Sequence, residues 1–148
     1  MAAGNQEEKH SALIQALAEA ETGTTGEIRV HLSKRWIEKN PFKRVVHLFH
    51  RFGMGKTTHK NAVLLYVNLR RKKFAVIGDE GIHKAVGQSY WEGLVKELQK
   101  DLSTTHTEKA IALAVLTIGA TLKRYFPVDT TGSQGTHVEE AEKELTED

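Results

Sequence analysis

The hydrophobic and polar positions change period along the chain, and each change marks an element. Over Glu7–Glu21, Leu13, Ile14, Leu17 and the alanines share one face, with Glu7, Glu8, Lys9, Gln15 and Glu19 elsewhere, which predicts an amphipathic helix. The glycines of Thr22-Gly23-Thr24-Thr25-Gly26 end it. Glu27–Leu32 then alternates, Ile28, Val30 and Leu32 against Glu27, Arg29 and His31, as a half-exposed strand does. Ser33–Asn40 is a polar connection in which Trp36 and Ile37 are expected to dock onto the body. Asn40-Pro41 supplies a helix cap and a first-turn proline, opening a helix to about Phe52. Gly53–Lys60 reads as a loop.

The near-continuous apolar run Val63–Val67 within Ala62–Leu69 predicts a strand covered on both faces. A solvated turn of four cations, Arg70–Lys73, joins it to a second strand, Phe74–Ile77. The acidic loop Gly78-Asp79-Glu80-Gly81 follows, then a short turn over Ile82–Val86. Helical spacing of Tyr90, Trp91, Leu94, Val95, Leu98 and Leu102 defines a helix from about Gln88 to Leu102, and another covers about His106–Tyr125. Both Tyr90 and Trp91 read as core residues.

A strand–helix–strand crossover joins parallel strands. Glu27–Leu32 and Ala62–Leu69 therefore run together and Phe74–Ile77 runs back. On that direction Thr22–Glu27, Asn61 and Gly78–Gly81 converge on one sheet edge, with the cationic hairpin tip at the other.

Composition narrows the function classes. At 148 residues the chain fits one domain, and residues 1–6, 7–127 and 128–148 read as a disordered start, a folded domain and a flexible acidic tail with at most a weak helix. There are no cysteines, which removes disulfides, thiolate metal sites and cysteine nucleophiles. The start of the chain has no basic segment followed by an apolar one, so no secretory signal is expected. The longest nearly charge-free run, Ala110–Leu122, falls well short of the ~20 residues that span a bilayer. The expectation is a soluble, cytoplasmic, monomeric protein without membrane insertion. From Asp129 onward seven acids face Lys143 alone, so the net +2 conceals +8 on residues 1–128.

The candidate chemistry lies in the acids. Asp79, Glu80, Glu27 and Glu21, with hydroxyl and amide oxygens of Thr22, Thr24, Thr25 and Asn61, suit a hard cation such as Ca²⁺ or Mg²⁺. The plainer role for Asp79 and Glu80 is capping of the turn that follows. Gly53-Met54-Gly55-Lys56-Thr57 is not a phosphate-binding loop: His50 stands where the first glycine belongs, and the segment leaves a helix and enters a strand. No nucleotide is expected. His47, His50 and His59 lack a carboxylate motif, so no zinc is expected either. The basic residues lack interleaved aromatics and a nucleic-acid motif, so they read as solvated charge rather than a nucleic-acid surface.

Several segments together resemble the TPM domain family, which takes in thylakoid-lumen, photosystem and MOLO types. They are Gly26-Glu27-Ile28-Arg29-Val30 following Glu21, Phe52-Gly53-Met54, Thr57 with Asn61–Leu65, Ile77–Ile82, Tyr90-Trp91, and Ile118 and Leu122 with Phe126-Pro127. They span roughly 7–127 in order, and the chain is most similar to the small soluble bacterial members. The resemblance implies a three-layer α/β/α sandwich with a small mixed β-sheet flanked by helices. It also implies divalent-metal binding at sheet-edge loops, with Asp79-Glu80 nearest the metal and Glu21 and Glu27 as companions, and for the plant branch an acid phosphatase activity. The functional expectation is a non-enzymatic or weakly enzymatic binding or regulatory module with a Ca²⁺ or Mg²⁺ site. Two alternatives stand beside it. One is a weak metal-assisted phosphomonoester hydrolase helped by Lys56 or Lys60. The other is a module for polyanions or a protein partner, modulated by the acidic tail.

Overall fold

In a computed structural model of the protein, residues 10–128 and 138–148 are described, so the first residues of the expected opening helix and its disordered leader lie outside them. The elements are α1 (Ser11–Glu21), β1 (Glu27–Ser33), α2 (Pro41–Arg51), a 3₁₀ turn (Met54–Lys56), β2 (Ala62–Asn68), β3 (Lys73–Gly78), α3 (Glu80–Val86), α4 (Gln88–Thr104), α5 (Thr107–Tyr125), α6 (Val138–Glu144) and β4 (Leu145–Glu147).

The sheet order is β3-β2-β1-β4. β1 and β2 are parallel from Glu27 opposite Ala62 to Ser33 opposite Asn68, and β3 returns antiparallel with Gly78 opposite Val63. The crossover rule thus gives the right strand directions. Both faces are covered, as the all-apolar β2 requires. On one face Ile28, Val30, Leu32, Val63, Leu65 and Val67 pack with α1, α4 and α5. On the other, Ala62, Leu64, Tyr66 and Ala75 pack with Val45, Leu48 and Phe49 of α2 and with Met54. The result is the three-layer α/β/α sandwich. The Asn40 side chain accepts the Lys43 N–H at 3.0 Å, so the cap read from Asn40-Pro41 is the one used. Among the described residues no helix is long and apolar enough to cross a membrane.

Three sequence expectations are corrected. The segment read as a flexible acidic tail forms α6 and β4 over 138–148, while 129–137 lie outside the described residues. β4 adds a parallel strand to β1, Val30 opposite Leu145 and Leu32 opposite Glu147, and the Asp148 N–H donates to the Leu32 carbonyl at 3.0 Å. Ala141 of α6 and Leu145 of β4 are buried in the main core. The pattern is masked because only two buried apolar side chains carry it among the six acids of 138–148.

Second, the alternation of Glu27–Leu32 puts His31 on the exposed side of its strand. It is buried, stacked on Tyr66 at 5.9 Å with its Nδ1 2.7 Å from the Thr146 hydroxyl, because α2 and β4 close over it. Third, Trp36 and Ile37 do not dock onto the body. They stand 70% and 69% exposed.

Candidate functional site

Three chain turns meet at the sheet edge where β1 and β2 begin and β3 ends. The 22–27 turn is tied to the end of α5: the Thr24 hydroxyl donates to the Phe126 carbonyl at 2.7 Å and accepts the Gly26 N–H at 3.0 Å. Asn61 is 1% exposed, and its side-chain amide donates to the Thr25 hydroxyl at 3.0 Å, joining the turn before β1 to the loop before β2.

The third turn joins the same cluster through its backbone. The Asp79 N–H donates to the Ala62 carbonyl at 2.9 Å, and the Ile82 N–H to the Lys60 carbonyl at 3.2 Å. Gly81 makes this approach possible. A Cβ there would lie 2.3 Å from the His59 carbonyl oxygen and 2.6 Å from that of Lys60, closer than any real contact.

Asp79 caps α3, its Oδ1 accepting the Glu80 N–H at 2.8 Å. The capping role considered from sequence is therefore present. It uses one oxygen only: Oδ2 is buried and has no hydrogen-bond partner among the described residues. The Asn61 Oδ1, on the adjoining loop, is likewise buried and unpartnered. Two orphaned oxygen acceptors on touching loops are costly unless something satisfies them.

The four predicted acids divide into two groups about β2. Glu80 is exposed in the first turn of α3, next to Asp79. Glu27 lies on the same sheet edge, opposite Ala62, whose carbonyl also receives Asp79. Asp79 and Glu27 thus flank one residue of β2 rather than standing at opposite poles. Glu21 and Glu27, however, group electrostatically with Glu144 of α6, a residue the sequence reading left in the tail. The Glu21 Oε2 accepts the Ile28 N–H at 2.7 Å. Burial, first, and then the neighbouring Glu21 and Glu27 hold the Glu144 carboxyl far above the ordinary carboxylate range, with Arg29 opposing. Among the described residues, no three His, Asp or Glu side chains are grouped to hold a metal ion. The Lys60 ammonium is engaged by the Gly55 carbonyl at 2.6 Å, within its own loop.

A second polar cluster, missed from sequence, lies on the α2 face. Asp148 pairs with Arg44, and its Oδ2 lies 3.2 Å from the His31 Nε2. Ser33, His31 and Arg44 hold the Asp148 carboxyl below its ordinary value against the effect of burial. No local motif announces this group, because its members come from β1, α2 and the segment after β4.

The TPM domain model matches residues 5–121. The chain belongs to the TPM domain family. This TPM domain is also similar in structure to the BA42 protein of the psychrophilic bacterium Bizionia argentinensis, solved by NMR. That match has 28% sequence identity and a TM-score of 0.80, covering 96% of this chain and 94% of that one. No curated protein matches the chain. The family match ends inside α5, so α6 and β4 of this TPM domain lie beyond it, whereas the structural match takes in nearly the whole chain.

Proposed function

We propose that this TPM domain is a binding or regulatory module that takes up a divalent cation, Ca²⁺ or Mg²⁺, at the edge built from the 22–27, 57–61 and 78–81 turns. The observation that carries the reading is the pair of buried, unpartnered oxygens, Asp79 Oδ2 and Asn61 Oδ1, on loops that touch through Gly81. A hard cation satisfies such oxygens and removes the cost of leaving them unpaired. The donor set is one carboxylate, one side-chain amide, and the exposed carboxylate of Glu80 beside them, which suits oxygen-seeking ions and not zinc.

Asp79 and Asn61 are the residues that would hold the ion directly. Glu80 and Glu27 add charge around it. Glu21, engaged by the Ile28 N–H and by Glu144, contributes field more than an oxygen. Few charged ligands point to weak, exchangeable binding, roughly in the 10⁻⁴–10⁻³ M range of extracellular calcium modules.

The test is a Ca²⁺ titration followed through backbone amide shifts. Saturable shifts at Asn61 and Gly78–Gly81 in the millimolar range are expected. Silence of those amides while the rest of the spectrum responds no differently would remove the site.

A further inference from the structure

The connection from β1 to α2 is held rigidly while its two largest apolar side chains stay in solvent. The Lys34 carbonyl accepts from the Arg70 Nε at 2.7 Å, the Arg35 carbonyl from the Asn68 side-chain amide at 3.1 Å, and the Glu38 carbonyl from the Lys73 ammonium at 2.9 Å. The buried Glu38 carboxylate accepts from the Tyr66 hydroxyl and, at 2.9 Å, from Asn68. Asn68 also fixes the hairpin tip, its Oδ1 receiving the N–H groups of Arg70 and Arg71 at 3.0 and 2.9 Å. The bonds made by Lys34, Arg35 and Glu38 all tie the loop to the β2–β3 hairpin. Trp36 and Ile37 stay in solvent, 70% and 69% exposed. The Arg70 guanidinium, 3.6 Å from the ring centre, covers one face of Trp36.

The charge around this knuckle has one sign. Across 33–47 and 68–76 the only acid is Glu38, which is buried; the exposed charges are Lys34, Arg35, Lys39 and Lys43 on one segment and Arg70–Lys73 on the other. A tryptophan beside a branched aliphatic, fixed in place and ringed by cations, matches the layering of a bilayer surface: anionic headgroups outside, acyl chains beneath. The rigid loop has already lost the conformational entropy that binding would otherwise cost. Single-stranded nucleic acid fits less well, because Ile37 offers no ring for stacking and Arg70 already occupies one face of Trp36.

We propose that the Trp36–Ile37 knuckle and its cationic surround form a peripheral docking surface for an anionic lipid bilayer, with the two apolar side chains entering the headgroup–acyl boundary. The surface is independent of the cation site, since the hairpin tip lies at the opposite end of β2 from Asn61.

The experiment uses the full chain with vesicles of phosphatidylcholine, alone or with about one-third phosphatidylserine, in the presence of EDTA. Co-sedimentation with the anionic vesicles and not the neutral ones is expected, with a blue shift of tryptophan emission. Trp36→Phe should abolish the shift and keep the sedimentation, since the buried Trp91 would remain silent. Trp36→Ser with Ile37→Ser should weaken binding at least about tenfold, and Lys72→Ala roughly fivefold, both with unchanged amide spectra elsewhere. Absence of sedimentation, or equal sedimentation by the double serine variant, overturns the proposal. So does knuckle-dependent binding to poly-U without binding to vesicles, which would assign the surface to nucleic acid.

Discussion

The carboxyl groups of Glu21 and Glu144 share a hydrogen bond at the junction of α1 and α6, although the residues lie near opposite ends of the chain. Two carboxyls so placed cannot both ionise cheaply, and burial adds to the penalty on Glu144. The folded chain therefore keeps a proton there that the unfolded chain releases in the ordinary carboxyl range. This contribution to stability is fully present below that range and is lost as pH rises toward the raised folded value. Glu144→Gln, which is neutral at every pH, should flatten the loss. The thermal midpoint of the natural chain should fall more steeply between pH 5 and 9 than that of the variant. Parallel curves would show that the pair does not hold its proton.

Asp79 has two separable duties, capping α3 and presenting Oδ2. Asn caps as well as Asp, whereas Ala costs about 1 kcal/mol at such a position. Asp79→Asn should therefore keep the urea midpoint nearly unchanged, and Asp79→Ala should lower it. Both should lose the amide response to Ca²⁺ at Gly78–Gly81. A full response in the Asn variant would detach the metal from this carboxylate.

The Asp148 carboxylate favours the charged form of His31, but burial outweighs it and leaves the imidazole pKa below its ordinary value. A histidine shifted this way contributes stability that is present above the ordinary value and lost as pH falls through the folded one. Asp148→Asn keeps the shape and removes the charge, so the His31 pKa should fall further. The pH titration of its ring protons by NMR reads this directly. An upward movement toward the ordinary value would mean instead that β4 had left the sheet and water had reached the ring.

Gly119 of α5 sets how closely that helix meets α1. A Cβ there would lie 2.6 Å from the Ala20 Cα and 2.7 Å from its carbonyl oxygen, which are backbone atoms that cannot swing aside. Gly119→Ala should cost about 1–3 kcal/mol by overpacking, despite the better helix propensity of alanine. Equilibrium urea unfolding measures it, and a stabilised variant would contradict the packing described.

The layers and strand directions were legible because each rested on a strong local signal reinforced by a rule of chain geometry. The apolar run of β2, the Asn40-Pro41 cap and the handed crossover together place Asp79 and Glu27 on one edge. What escaped was non-local. His31 looks exposed by alternation because its cover arrives from the far end of the chain. Trp36 looks buried by composition because the bonds that hold its loop outward come from Asn68, Arg70 and Lys73 on another hairpin. Glu144 looks like one more solvated charge because two apolar neighbours, Ala141 and Leu145, are too few to show a period. The candidate site was legible as a place but not as a ligand set: the sequence gathered four acids, and β2 divides them.

The three residues of β4 also act as a shield. They occupy main-chain donors and acceptors of Val30–Leu32 that would otherwise form an open border on the middle of the protein. A molecule without α6 and β4 would offer that border to any neighbour, and strands stripped of their cover tend to add to one another. Loss of this short strand would thus turn a covered border into a seed for assembly.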